Sequence, residues 1–378
     1  MRIAIISREL PPHGGGIGSW SSKASRGLTR LGSQVHLFTE LHAGELAEQV
    51  VDGVYIHRLR PAPLRPYSLG WAWAVAKVVS SAGNFDVVQA CEWDAEALVC
   101  ALRPVAPLVT RLAAPHYMIQ HTNEAPRRQR LRSSFTSQME RLQALRSRRV
   151  ISPSSAMAKD VSQKWGIEET SIAVVPTGID PPQVAATPLP AYLVEAPYML
   201  YFGRLEVRKG VDVLIDALPS ILSAHREVHC VFIGEDMSYQ GMPYAAYAQR
   251  KCTSVFSRIH FLPRMAHPEL FRIVANARLV AIPSRWENFA NTCLEAIMLG
   301  RPIIATSGSG FNEVLTDGVD GLLVPPGDSV ALAEAAVEAL GDPSLLERLG
   351  AAARLRARDF TVDRMASRLM EIYGELTA

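Results

Sequence analysis

Little in this sequence is extreme, and each scarcity narrows the choices. Its 378 residues carry 39 Lys and Arg against 37 Asp and Glu, a net charge of +2. Bulk charge therefore excludes a protein that attracts nucleic acid or another polyanion by overall field, and partners must be sought at local sites. Cysteine is sparse: Cys91, Cys100, Cys230, Cys252 and Cys293 stand singly, with no CxxC pair. That argues against a disulfide framework or a zinc site and for free or buried thiols in a reducing cytosol. The longest apolar candidate, "YSLGWAWAVAKVVSSAG", is interrupted by Lys77 and too short to span a bilayer. Met1 runs straight into the strand-like "RIAIIS" without a leader pattern. There is no short-period repeat, no low-complexity tail and no DxD-like acidic pair at a strand end that would hold a divalent metal. These absences predict a cytoplasmic, metal-independent protein.

What is present is alternation. The β-branched runs "RIAIIS", "QVHLF", "DVVQA", "APLVTRL", "RRVIS" and "IAVVP" are separated by helix-length segments, the pattern of a parallel sheet covered by helices on both faces. Five prolines between residues 181 and 197 then exclude regular structure. The alternation restarts with "YMLYFG", "HCVFIG", "RIHFL", "RLVAIPS", "RPIIAT" and "GLLVP". The reading is α/β, two doubly wound Rossmann-like domains over 1–180 and 198–360, joined by a linker at 181–197. The segment 361–378 is expected to return and brace the first domain. Ligands of such sheets bind beyond the carboxyl ends of the strands, so two facing domains offer one central cleft.

Within the second half, "SRWENFANTCLEAIMLGRP" places Glu287 and Glu295 eight positions apart. On one unbroken helix they would lie roughly 12 Å apart along the axis, too far to share a proton or a metal. Asn288 and Asn291 suit an N-cap, so a helix is predicted to start near Asn291, with Glu287 in the preceding loop and Glu295 in the second turn. Each carboxylate can then touch a different part of one extended ligand. Upstream, "YFGRLEVRKG" puts Arg204 and Lys209 around a strand-to-helix turn, where two cations suit a diphosphate or stand simply solvated. Near the start, "GGGIGSW" offers Gly15 and Gly16 to an anion at the start of a helix, or forms a plain tight turn. It is not a dinucleotide fingerprint: six residues separate it from the strand, and Ser19 stands where the third glycine belongs.

Taken in order and spacing, "GGGIG", "GRLEVRKG", "PTGID", the E-x7-E pair, "GRPIIAT" and "DGVDGLLVPPGD" resemble the retaining glycosyltransferases of family 4, of GT-B fold. The resemblance runs over essentially the whole chain and implies a hexosyl transfer from a nucleoside-diphosphate sugar, UDP before GDP, to a hydroxyl acceptor. It implies that Glu295 bonds the ribose hydroxyls and that Glu287, as the catalytic carboxylate, faces the transferred sugar. The loop at Phe289, Ala290 and Asn291 would hold sugar and phosphate oxygens, while Arg204 and Lys209 would bind the diphosphate. One departure stands out. Aligned on Arg111, Leu112 and Pro115, Ala113 occupies the position of the family's histidine, and His116, three residues on, is the replacement candidate.

Acceptor recognition is expected from "CEWDAEA", with Trp93 as a sugar platform and Glu92 and Asp94 as hydroxyl acceptors, or else Asp94 serves only as a helix N-cap. The segment Pro126–Arg149, with eight arginines and one acid, reads as a solvated charged helix or as a basic amphipathic helix resting on an anionic membrane with a lipid-linked acceptor. A glycan or a small metabolite fits the acceptor role as well. Other GT-B activities, an epimerase or a phosphorylase, and an inactive donor-binding subunit stay open as alternatives.

Overall fold

The computed structural model describes residues 1–64, 66–120, 127–186, 189, 193, 196–308 and 310–377, apart from the side chains of 119–120 and 127–132. The chain forms two compact units: Met1–Asp180 with Phe360–Ala378, and Pro181–Asp359. Part of the 181–197 segment expected as a linker lies outside the described residues.

The first unit holds eight strands: β1 (Arg2–Ile6), β2 (Gln34–Glu40), β3 (Glu48–Val51), β4 (Val54–Leu59), β5 (Val87–Cys91), β6 (Leu108–Arg111), β7 (Arg149–Ser152) and β8 (Ile172–Val174). They lie in the order β3-β4-β2-β1-β5-β6-β7-β8, all parallel except the β3–β4 pair. Successive residues of β1 point to opposite layers, as the two-residue period of a strand requires. Ile3 and Ile5 pack with Trp20, Ala24 and Leu28 of the helix Gly16–Arg30 and with Met365, Leu369 and Tyr373 of the helix Val362–Thr377. Ala4 and Ile6 face Trp71, Val75 and Val79 of the helix Tyr67–Ser81. The returning helix sits so close that a Cβ on Gly27 would lie 2.8 Å from Val362 Cγ1.

The β3–β4 hairpin is absent from the alternation read in the sequence. Its turn is Asp52-Gly53 with φ of 50° and 77°, the positive values that a tight two-residue hairpin connection takes. The hairpin adds one antiparallel edge to an otherwise parallel sheet.

The second unit holds β9 (Tyr198–Phe202), β10 (His229–Ile233), β11 (Ile259–Leu262), β12 (Leu279–Ile282), β13 (Ile303–Thr306) and β14 (Leu322–Val324) in the order β11-β10-β9-β12-β13-β14. This is the 3-2-1-4-5-6 winding of a complete dinucleotide-binding sheet. Met199, Tyr201, Cys230 and Phe232 pack against Leu214, Leu218 and Ile221 of the helix Val211–Ala224 and Leu332 and Ala336 of the helix Ser329–Gly341. In each sheet the strand order reverses beside the first strand, β1/β5 in one and β9/β12 in the other, the place where such sheets bind ligands beyond the carboxyl ends of their strands.

All five cysteines are free and buried. Among the described residues no helix is long and apolar enough to cross a membrane.

Candidate active site

The reversal point of the second sheet gathers most of the residues expected to bind a donor. Beyond β12, the chain turns through Ser284 to Glu287, which is 6% exposed. Its carboxylate accepts from Lys209 Nζ and from Ser284 Oγ (2.9 Å), with Arg208 Nη1 at 3.6 Å. Burial alone would raise this carboxyl's pKa, but Lys209, Arg208 and Ser284 overcome it and hold the group below its ordinary range. Arg208 also reaches Glu206 at 2.7 Å, and Arg204, its side chain 55% exposed, leans on the same carboxylate at 3.4 Å. Glu287 and Lys209 are thus brought into contact, while Arg204 is exposed and tied to the group through Glu206 and Arg208.

Two glycines make this approach possible. Gly210, with φ of 67°, lies so close to the end of β12 that a Cβ would fall 1.9 Å from Pro283 O. Gly310 donates its N–H to Glu287 O at 3.0 Å, and a Cβ there would fall 2.0 Å from Asn288 O.

The helix Asn291–Met298 follows, with Glu295 half-buried in its second turn and Phe289 buried just before it. Contrary to the N-cap role expected of it, Asn291 is the first helical residue and Ala290 the N-cap, with no side-chain cap. Beside this site a cavity of about 640 Å³ opens at the ends of β9 to β11, lined among others by Gly234, Glu235, Asp236, Pro263 and Arg264.

The first unit carries its own polar constellation. Gly15 caps the helix Gly16–Arg30, and its N–H donates to Glu9 Oε2 at 2.7 Å, so a carboxylate takes the place expected for an anion. Beyond β5, Trp93, Asp94 and His116 come together. The Trp93 and His116 rings stack at 4.0 Å and 20°, and His116 Nε2 lies 3.6 Å from Asp94 Oδ1. One face of the half-buried Trp93 is therefore taken by His116. Asp94 also holds Arg8 at 2.7 Å. Its φ of 56° places it inside the turn, not at an N-cap.

Glu92 departs from its expected role as a hydroxyl acceptor. It is fully buried and accepts from the amides of Ala113 (2.8 and 2.7 Å) and Ala114 (2.7 Å) and from Cys91 Sγ (3.0 Å). It fixes the loop in which the family's histidine would stand. Burial and the nearby Glu140 raise its pKa to about 7 against those amides and Arg111.

Residues that the sequence reading passed over complete both sites: Arg208, Glu206 and Ser284 in one, Arg8, Glu96, Glu140 and Gln143 in the other. Arg208 stood beside the chosen Lys209. Glu140 and Gln143 belong to the helix Arg127–Arg146, expected as a solvated or amphipathic basic helix. Its described side chains turn Ser137, Met139, Glu140, Gln143 and Ala144 inward and leave Phe135 and Leu145 outside, 54% and 46% exposed, so this part of the helix is not the freely solvated one expected. The remainder of that basic segment lies outside the described residues. Among the described residues no group of three or more His, Cys, Asp or Glu side chains is arranged to hold a metal ion.

Two doubly wound parallel-sheet units of these windings define a GT-B protein. Residues 14–183 match the family model described as Glycosyltransferase Family 4, and residues 196–342 the one described as Glycosyl transferases group 1. The glycogen synthase of Mycobacterium tuberculosis is 27% identical over 407 aligned positions, covering 99% of this chain and 94% of the relative. Among solved structures, sucrose-phosphate synthase from Thermosynechococcus elongatus superposes with a TM-score of 0.81 at 20% identity, over 99% of this chain and 98% of the other. An Anabaena protein, HepE, in complex with UDP-glucose superposes with a TM-score of 0.75 at 21% identity, over the whole of both chains. The chain belongs to the family 4 type of glycosyltransferases.

Proposed function

We propose that this enzyme is a retaining, metal-independent hexosyltransferase that takes a UDP-sugar in the cytoplasm and passes its sugar to a hydroxyl acceptor. The observation that carries the reading is the buried, charged Glu287 clamped by Lys209 and Ser284 at the reversal point of the second sheet. In this reading Lys209 and the exposed Arg204 bind the diphosphate, Glu295 the ribose hydroxyls, and Glu287 with the backbone at Phe289, Ala290 and Asn291 the transferred sugar. The neighbouring cavity takes the base. The UDP-glucose bound by HepE favours UDP over GDP. In the first unit, Gly15 and Gly16 offer the start of their helix to an anion, for which the Glu9 carboxylate stands in.

The chemistry follows from charge. As the bond between the anomeric carbon and the phosphate oxygen breaks, negative charge grows on the leaving diphosphate. Fixed cations meet it without reorganising, the role that a metal ion fills elsewhere. The acceptor oxygen bonds to the anomeric carbon from the same face, and the departing phosphate oxygen takes its proton. Configuration is kept without a protein nucleophile. On the acceptor side, Asp94 and Trp93 fit a sugar or polyol hydroxyl, and His116 serves from its shifted position.

The test is a thermal-shift screen of nucleotide sugars, since a ligand of the folded state raises the melting temperature by mass action. The best donor is then turned over with an acceptor mixture and the anomeric proton of the product recorded. An α-linked product from an α-linked donor is expected; a β-linked one would overturn retention.

A further inference from the structure

Polar side chains rarely fill the inner face of a helix while apolar ones face solvent, because burying polar groups costs free energy unless each finds a partner. Helix Arg127–Arg146 buries Ser137, Glu140 and Gln143 beside Met139 and Ala144 while Phe135 and Leu145 face solvent, and Glu140 and Gln143 both work on the acceptor side. Glu140 Oε1 accepts from Asp94 N (3.1 Å) and lies 2.5 Å from His116 Nδ1, while Oε2 accepts from His116 N (3.0 Å). One turn further on, Gln143 Oε1 accepts from Ala97 N (2.9 Å) and Nε2 donates to Cys91 O (2.9 Å). What they hold is a strained turn: Asp94 and Ala95 both carry positive φ, 56° and 52°. Such backbone persists only where its surroundings over-determine it.

We propose that Glu140 is a positioning residue for sugar transfer: from the inner face of its helix it fixes the Trp93–Asp94 turn and locks His116 as an imidazolium. His116 then directs its Nε2–H at a hydroxyl oxygen of the bound sugar. This rests on the transferase reading above. The distance from Nε2 to Asp94, 3.6 Å, is too long for a strong hydrogen bond, so that N–H has capacity for a ligand.

Charge balance supports the protonated ring. The groups facing His116 are Glu140 from the helix, Asp94 from the turn and Glu92 from the end of β5. Glu96 lies beside Asp94, and the counter-charges are Arg8 on Asp94 and Glu96 and Arg111 on Glu92. Burial lowers the His116 pKa, but Glu140 first, then Asp94 and Glu92, outweigh it and raise the pKa above the ordinary value of 6.5; burial raises the carboxyls of Glu140 and Glu92 too, so it is the direct contact of Glu140 with the ring, which opposes that rise, that favours the ion pair. Because the folded pKa is raised, the imidazolium is present below it and lost as pH rises through it.

The test reads His116 directly. In the wild-type protein, proton–carbon NMR, with His116→Asn for assignment, is expected to give a ring titration midpoint above 6.5. Glu140→Gln keeps the shape and loses the charge, and is expected to lower the midpoint by about 1–3 units, the reach of one opposite charge at contact. The alkaline limb of kcat with the best nucleotide sugar should move down with it, and kcat should fall more than KM rises. Glu140→Asp, which retains the charge, should restore much of both. Gln143→Ala loosens the same turn without touching charge, so it should lower the melting temperature and leave the limb in place. A wild-type midpoint at or below 6.5 would overturn the proposal even if Glu140→Gln fails to fold. A limb that moves equally in Gln143→Ala, or stays put in Glu140→Gln, would do the same. A wild-type protein that shows the raised midpoint yet transfers no sugar would remove the transferase reading and leave the hold of Glu140 on His116 standing.

Discussion

Removing the Lys209 charge tests the second unit's site without any substrate. Lys209→Met keeps most of the side chain's bulk and strips the nearest cation from a carboxylate that is 6% exposed. Breaking one side of a buried ion pair costs about 3–5 kcal/mol. Ser284 Oγ still donates at 2.9 Å and Arg208 stays at 3.6 Å, so the orphaned charge keeps partial compensation and we place the loss nearer ~2–3 kcal/mol. At roughly 2–4 °C per kcal/mol for a unit of this size, the melting temperature should drop by about 5–10 °C. Glu287→Gln in the same background removes the orphan charge and should recover most of that loss. The double-mutant coupling is then about 1–3 kcal/mol, measured by calorimetry or urea unfolding of the four ligand-free proteins. Strictly additive losses, or a Lys209→Met protein that melts with the wild type, would show that the pair is not coupled before donor binds.

Further expectations concern the same region. Because Glu287 has a lowered folded pKa, its stabilisation is complete above the ordinary value of 4.5 and fades as pH falls below it; melting curves should show the wild type more acid-sensitive than Glu287→Gln. Glu295→Ala should weaken UDP binding by about 10- to 150-fold, the worth of a charged hydrogen bond of ~1.5–3 kcal/mol, and unchanged calorimetric affinity would count against the ribose assignment. Gly310→Ala should cost about 1–3 kcal/mol in urea unfolding, since its Cβ would meet Asn288 O at 2.0 Å. Transfer should survive EDTA, and activity lost to the chelator and restored by Mg²⁺ or Mn²⁺ would refute metal independence.

The expected strands of both sheets were legible because a strand buried on both faces is an unbroken apolar run, a signal carried by every residue. β3 and β4 were not, since "EQVV" is exposed along its length, "VYIHRL" is buried only at Val54 and Ile56, and only the Asp52-Gly53 turn marked the hairpin. Lys209 and Glu287 were legible as types, but that they pair depends on Gly210 letting two distant loops touch. Asn291 misled because a good capping residue also tolerates the first helical position. Glu92 misled because its neighbours in sequence are open whereas its neighbours in space are amides. Glu140 and Gln143 were hidden by arginines on the same helix. A scan for paired polar residues three apart opposite outward Phe135 and Leu145 would have exposed them, since breaches of local pattern mark functional sites.

The returning helix Val362–Thr377 bears on how the protein is made. Tyr373 reaches Gln89 through its hydroxyl, and Met365, Leu369 and Ile372 complete the layer over β1 and β5. On the ribosome these residues emerge only after the whole of Pro181–Asp359, so the unit translated first is finished last. At about 5–20 residues per second, Ile3 and Ile5 wait roughly 20 seconds to over a minute for their cover. During that interval the apolar layer of the first sheet is a substrate for chaperones, while the second unit can already close its own core.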